Sequence, residues 1–187
     1  MKRLLALIAI TLFGCSQTPA PTAKHYSLAA QPLPLTEPVS LSTGTLILSS
    51  LTIDHHLQHK GPVLLMADGR LHISQQHRWA GALPNQLQRL TQESLAMLLP
   101  HWQQVGRKHT PAPVVLEIEI SRLFGAPDGT TRLSGRYRLY KQQQLILQRS
   151  FALEQQQAAS GYAAMTDSMR SLWLSLMTQV SQSIIKP

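Results

Sequence analysis

Among the side chains able to do chemistry, three groupings stand out by type and spacing. His55, His56 and His59 fall in one short stretch, and a helical turn there would put His55 and His59, four apart, on one face as a metal-binding pair. Their neighbours argue against it: the cluster follows a β-rich run, precedes Gly61-Pro62 and has only Asp54 as a nearby carboxylate, so loop histidines without a metal is the favoured reading. Glu117 and Glu119 share one face of a strand, the placement a glycosidase-like pair would need, but their alternation reads more simply as a solvated sheet face or an interface. Arg132, Arg136 and Arg138, with Arg122 on the preceding strand, form either a basic face for anionic headgroups or an acidic partner, or a solvated arginine-rich strand face. No nucleophile elbow, Cys-His pair or Gly-rich phosphate loop is present. The expectation is therefore a protein with no catalytic residues, no metal and no cofactor that is not covalently attached.

The elements that must position these groups can be read from periodicity. Thr45 to Asp54 is a β-rich run and forms the first core strand. Val63 to Met66 and Leu71 to Trp79 flank Asp68-Gly69, a hairpin signal because these residues tolerate the positive φ of a tight turn. From Leu83 to about Leu99 a helix is predicted, with Leu83, Leu87, Leu90, Ser94, Met97 and Leu98 as its buried stripe and Pro100 as its stop. Val114, Leu116, Ile118 and Ile120 alternate with Val115, Glu117, Glu119 and Ser121, a half-buried strand of period two. A turn at Pro127-Asp128-Gly129, a strand carrying Leu133, Tyr137 and Leu139, and another from Leu145 to Leu153 complete a three-stranded antiparallel meander. The last helix, Gly161 to about Ile185, buries Met165, Met169, Leu172, Trp173, Leu176, Val180 and Ile184. The fold class is thus α+β, a mostly antiparallel sheet with two main helices packed on it in one domain over residues 43–187. Trp102 and Trp173 read as core or rim packing.

The N-terminus restricts where this domain works. Lys2 and Arg3 precede an apolar run from Leu4 to Phe13, the layout of a secretory signal and too short for a membrane span of about 20 residues. Leu12-Phe13-Gly14-Cys15 resembles a lipobox, so cleavage is expected after Gly14 and lipid on Cys15, the one cysteine of the chain. Several acyl chains anchor firmly, since each buried methylene contributes about 0.8 kcal/mol. With that thiol committed, no disulfide is available and packing alone stabilises the fold. Residues 1–14 form the signal and residues 15–42 the lipidated cysteine and a Pro-rich tether, with Pro19, Pro21, Pro32, Pro34 and Pro38 too closely spaced for helix or central strand. Within it, Lys24 to Leu28 has strand character and is expected to pair with an edge of the domain. Ser16 after the cysteine implies the outer membrane, if sorting follows the enteric pattern. The formal charge of +8 falls to +6 without Lys2 and Arg3, a moderate excess suited to anionic headgroups or acidic partners. Export, and the lack of aromatics interleaved with the arginines, disfavour nucleic acid.

The order of features, a lipobox, Tyr26-Ser27-Leu28 after the Pro-rich stretch, a strand, the passage RLHISQQHRWAGALPNQLQRL and a long final helix after a meander, resembles the PqiC-type ABC-transport auxiliary lipoproteins. The Arg78-Trp79 pair just before the helix is the most specific part. The segment from Ile53 to Met66, and a start less rich in tyrosine at His25-Tyr26-Ser27, depart from that pattern. The resemblance implies a non-catalytic, outer-membrane lipoprotein on the periplasmic face. Its partner would be a PqiB-like mammalian-cell-entry protein, and it would act as a homo-oligomer in intermembrane lipid transport and envelope integrity. Arg78, Trp79, Arg132, Arg136 and Arg138 would be the contacts to that partner or to headgroups. The alternative is a periplasmic lipoprotein that itself binds a lipid or small ligand.

Overall fold

The computed structural model describes residues 22–34, 36–106 and 113–186. Cys15 and Gly14 lie outside the described residues. In chain order the elements are β1 (Lys24–Tyr26), β2 (Gly44–Ile53), β3 (Val63–Leu65), β4 (Leu71–Ile73), β5 (His77–Trp79), α1 (Leu83–Leu98), β6 (Trp102–Gln104), β7 (Val114–Gly125), β8 (Thr130–Lys141), β9 (Gln144–Gln156) and α2 (Tyr162–Ile185).

The expected α+β arrangement is present, with two helices on a sheet, but the sheet is mixed rather than mostly antiparallel. Strand β7 is its centre. It pairs in parallel with β2 on one side and antiparallel with β8 on the other. Beyond β2 lies β6, parallel; beyond β8 lies β9, antiparallel. The β3–β4 hairpin meets the far end of β7, with Leu64 opposite Gly125 in parallel. Chain connection explains the mixture. Tight turns join β7, β8 and β9, which forces them antiparallel, whereas α1 carries the chain back between β2 and β7 so that both run the same way. Period-two alternation is identical in the two cases, so it did not distinguish them.

Both helices cover one face of this sheet. On β7, Val114, Leu116, Ile118 and Ile120 point into the core, as do Leu133, Tyr137 and Leu139 on β8. Every member of the predicted α2 stripe is buried, including Trp173. Along α1, Leu83, Leu87, Leu90, Ser94 and Leu98 are buried, Met97 is only half-buried, and Leu95 takes an inward position. Tyr137 contributes a polar tie, its hydroxyl 2.8 Å from Ser183 Oγ on α2 in a buried setting.

The hairpin at Asp68-Gly69 forms, but its second arm divides: β4 pairs with β3, then the chain bends at Ser74–Gln76 and β5 leaves to pair with β1. Strand β1 is the segment expected to find an edge, and it runs parallel to β5 with His25 opposite Arg78. The described part of the Pro-rich stretch lies against the domain rather than standing off it. Leu28 is fully buried, its N–H donates to Gln86 Oε1 at 2.8 Å, and Val39 N–H donates to the Leu98 carbonyl at 2.8 Å. Arg170 on α2 donates to the Gln31 carbonyl at 2.7 Å, fastening the same stretch to the second helix. Strand β6 was not legible, being only three residues long.

Candidate interaction surfaces

The arginines of β8 project from the sheet face opposite the helices, where β7 and β9 place carboxylates beside them. Arg136 grips Glu119 with two bonds, Nε to Oε2 at 2.7 Å and Nη2 to Oε1 at 2.9 Å. This is the fork geometry that suits a carboxylate. Arg138 sits 3.9 Å from Glu117 and 3.8 Å from Glu119, and its Nε donates to Gln148 Oε1 at 2.8 Å. Arg132 donates to Glu154 at 2.8 Å. The structure therefore gathers Arg132, Arg136 and Arg138 on one face, as the alternation predicted, but pairs each with a glutamate. Register made this invisible in the sequence: Glu119 lies opposite Arg136, Glu117 opposite Arg138 and Glu154 opposite Arg132. The face is a lattice of alternating charge, and each exposed pair contributes little, in the range of about 0–1 kcal/mol.

That lattice also bears on the carboxylate pair. The hydrogen bonds from Arg136 hold the Glu119 carboxyl below its ordinary value, and in turn Arg136 is held above its own. A general acid near neutral pH needs the opposite shift. The arrangement suits charge complementarity rather than proton transfer.

The histidine cluster is dispersed by local structure. His55 to Leu57 form a single 3-10 turn that buries Leu57, while His56 Nδ1 lies 3.2 Å from Asp54. Among the described residues, no three metal-ligating side chains converge.

Arg78 and Trp79 have separate fates. Trp79 is buried, and the main chain around it is pinned by bonds from its N–H to the Lys60 carbonyl and from Ala80 N–H to the Tyr26 carbonyl, both 2.7 Å. Arg78 points outward, with Nε donating to the Gln75 carbonyl at 3.1 Å. Tyr26, His77 and Tyr162 brace the other side of this corner: Tyr26 Oη is 3.0 Å from His77 Nδ1, and the His77 and Tyr162 rings stack at 4.0 Å. Thus Trp79 is a packing residue and Arg78 is the exposed member of the pair.

A third surface was missed in the sequence. Among the described residues β9 pairs only with β8, so one side of a 13-residue strand stays open. Near its start Leu145 and Ile146 are 52% and 37% exposed and adjacent in the strand. A long open edge with apolar residues is a ready pairing surface. Its signal was present in the unbroken Leu145-Ile146-Leu147 run, where strict alternation would have hidden two of the three.

Comparison with known proteins adds the family. A family model described as the ABC-type transport auxiliary lipoprotein component matches residues 26–181. The chain belongs to that family. Among curated members, the intermembrane transport lipoprotein PqiC of Escherichia coli (strain K12) is 27% identical over 183 residues, covering 98% of this chain and 97% of PqiC. PqiC of Shigella flexneri matches equally well, at 27% identity over the same 98% of the chain. Two crystal structures share the fold. One, of an uncharacterised protein, superposes with TM-score 0.73 at 23% identity, covering 87% of this chain and 99% of that one. The other, from Xanthomonas campestris, has TM-score 0.66 at 14% identity and covers 87% and 95%. The match runs from Tyr26, the last residue of β1, through most of α2, so the docked stretch that follows β1 belongs to the family's domain along with the sheet. A member of this family is a transport-accessory lipoprotein, and among the described residues no helix is long and apolar enough to cross a membrane.

Proposed function

We propose that this chain is a non-catalytic outer-membrane lipoprotein, anchored through Cys15 after cleavage behind Gly14. It holds its domain on the periplasmic face and docks the end of a PqiB-like mammalian-cell-entry protein during intermembrane lipid transport. The observation that carries the reading is the correspondence with PqiC along nearly the whole chain. The geometry supports a docking role: β9 offers an unpaired edge, and the adjoining face offers alternating charge that can set register with a partner. Neighbouring copies of the chain would use the same edge region when the protein acts as a homo-oligomer. Arg132, Arg136 and Arg138 then serve partner recognition through a face on which each stands beside a glutamate. The only cofactor is the covalent lipid.

Ligand binding between helix and sheet is the less supported reading, because Trp173, Leu176, Met177 and Leu116 are fully buried there. The test is co-purification of the full chain, from membranes, with a PqiB-like protein expressed beside it. Recovery of a complex from solubilised membranes is expected, and it should be lost with Cys15→Ala, which removes acyl labelling and the anchor. Two well-folded proteins that never associate would contradict the docking role, and acyl labelling that survives Cys15→Ala would contradict the anchor.

A further inference from the structure

Where β1, β5 and the start of α1 meet, a cleft of ≈ 530 Å³ is lined by His25, His59, Lys60, Arg78, Trp79 and Ala82 among others. That size lies within the roughly 300–1,000 Å³ of small-molecule sites. Three features distinguish it from the rest of the surface. Its charged side chains are all cationic or imidazole, and none of the acidic residues of the chain lines it. Elsewhere several arginines are matched by carboxylates: Arg70 with Asp68, Arg89 with Glu93, Arg132 with Glu154 and Arg136 with Glu119. The cleft is also rigid where it matters. The β1–β5 register sets His25 beside Arg78, the Lys60 carbonyl is fixed by Trp79 N–H, and the bond from Arg78 Nε to the Gln75 carbonyl aligns the guanidinium while its Nη groups hydrogen-bond to none of the described residues. Buried Trp79 gives the cationic rim an apolar wall.

We propose that this cleft binds a phosphate ester. A guanidinium presents paired N–H groups that match two phosphate oxygens, an ammonium adds a point charge with three donors, and an imidazole donates through one ring N–H even when neutral. The wall formed by Ala82 and Leu83 is the first turn of α1, whose positive end adds to the same field and whose N-cap, Ala82, supplies no side-chain acceptor of its own. The apolar wall beside the cations suits an ester carrying a glycerol or acyl portion. This ligand could be the headgroup of an anionic phospholipid or a soluble phosphate ester; both present the same oxygens. The inference stands on the cleft alone and does not depend on the partner assigned above.

The full chain in maltoside micelles would be titrated in two arms. One follows the heat of binding of glycerol 3-phosphate; the other follows the phosphorus resonance of phosphatidylglycerol doped into the micelles. One saturable site per chain is expected in at least one arm, weakened at least tenfold in the Lys60→Gln/Arg78→Gln double variant and unchanged in Arg122→Gln, an exposed arginine away from the cleft. Saturation by glycerol 3-phosphate assigns a soluble ester, and saturation by phosphatidylglycerol alone assigns a lipid headgroup. Each side chain is exposed, so the double variant should keep the wild-type melting temperature; Lys60→Gln alone, expected to show a smaller loss, provides a second reading. Absence of saturation in both arms, equal affinity in the double variant, or an equal loss in Arg122→Gln would overturn the proposal.

Discussion

Glu119 shows how a residue can look like chemistry and be electrostatics. Its carboxyl is held down by hydrogen bonds from Arg136, so the folded chain carries this group ionised at lower pH than the unfolded chain does. A carboxyl with a lowered folded pKa contributes stability above the ordinary carboxylate range, and that contribution drains away as pH falls through the lowered value. Glu119→Gln should therefore cost under about 1 kcal/mol at pH 7, the side chain being well exposed. The difference from wild type should shrink toward pH 3. Urea unfolding of both proteins at the two pH values measures it, and a difference independent of pH would mean that the pair contributes through shape alone. Gly135, opposite Ile120 beside the β7 bulge, makes a different point. A methyl group there would drive into the Glu119 carbonyl oxygen and come within 2.9 Å of the Phe151 ring. Gly135→Ala should destabilise by about 1–3 kcal/mol, read as a lowered urea midpoint with unchanged slope. Nothing in the pattern around Gly135 announces this, because the clash comes from the neighbouring strand.

At the scale of elements, what was legible had a long period. Both helices and the three strands of the meander appear within a few residues of their expected limits, because each carries enough repeats to declare a buried face. Strands β1, β5 and β6 have three residues each, too few for any period, and their pairing is decided by what they meet in space. Parallel pairing of β2 with β7 escaped for the reason given above. The β8–β9 turn is a further case. Gln142 and Gln143 both adopt positive φ, 51° and 64°, the conformation of a two-residue type I′ hairpin, yet neither residue type signals it. A left-handed conformation costs a residue with a Cβ roughly 1–2 kcal/mol. Gln142→Asn with Gln143→Gly should recover about 1 kcal/mol and raise Tm by roughly 2–4 °C, measured by thermal unfolding. A lower Tm would mean that the glutamines make contacts outweighing the backbone gain.

For the whole molecule, the candidate surfaces were half legible. The sequence placed three arginines on one strand face correctly, but their glutamate partners follow from register, which alternation leaves open, so each arginine of a face read as basic has a carboxylate beside it. The cationic cleft could not be read at all, since His25, Lys60 and Arg78 come from segments distant in the chain. The packed helix–sheet core, the docked N-terminal stretch and the open β9 edge together suit the proposed role of a domain that docks partners through its outer surface. That is the central claim, and a photocrosslinking residue placed in the full chain tests it most directly. Incorporated at Leu145 on the β9 edge, it should yield adducts with a second copy or with a PqiB-like partner in native membranes. At Leu71, which is 41% exposed on the β3–β4 hairpin, it should yield none. Adducts from Leu71 with none from Leu145 would contradict docking through the β9 edge.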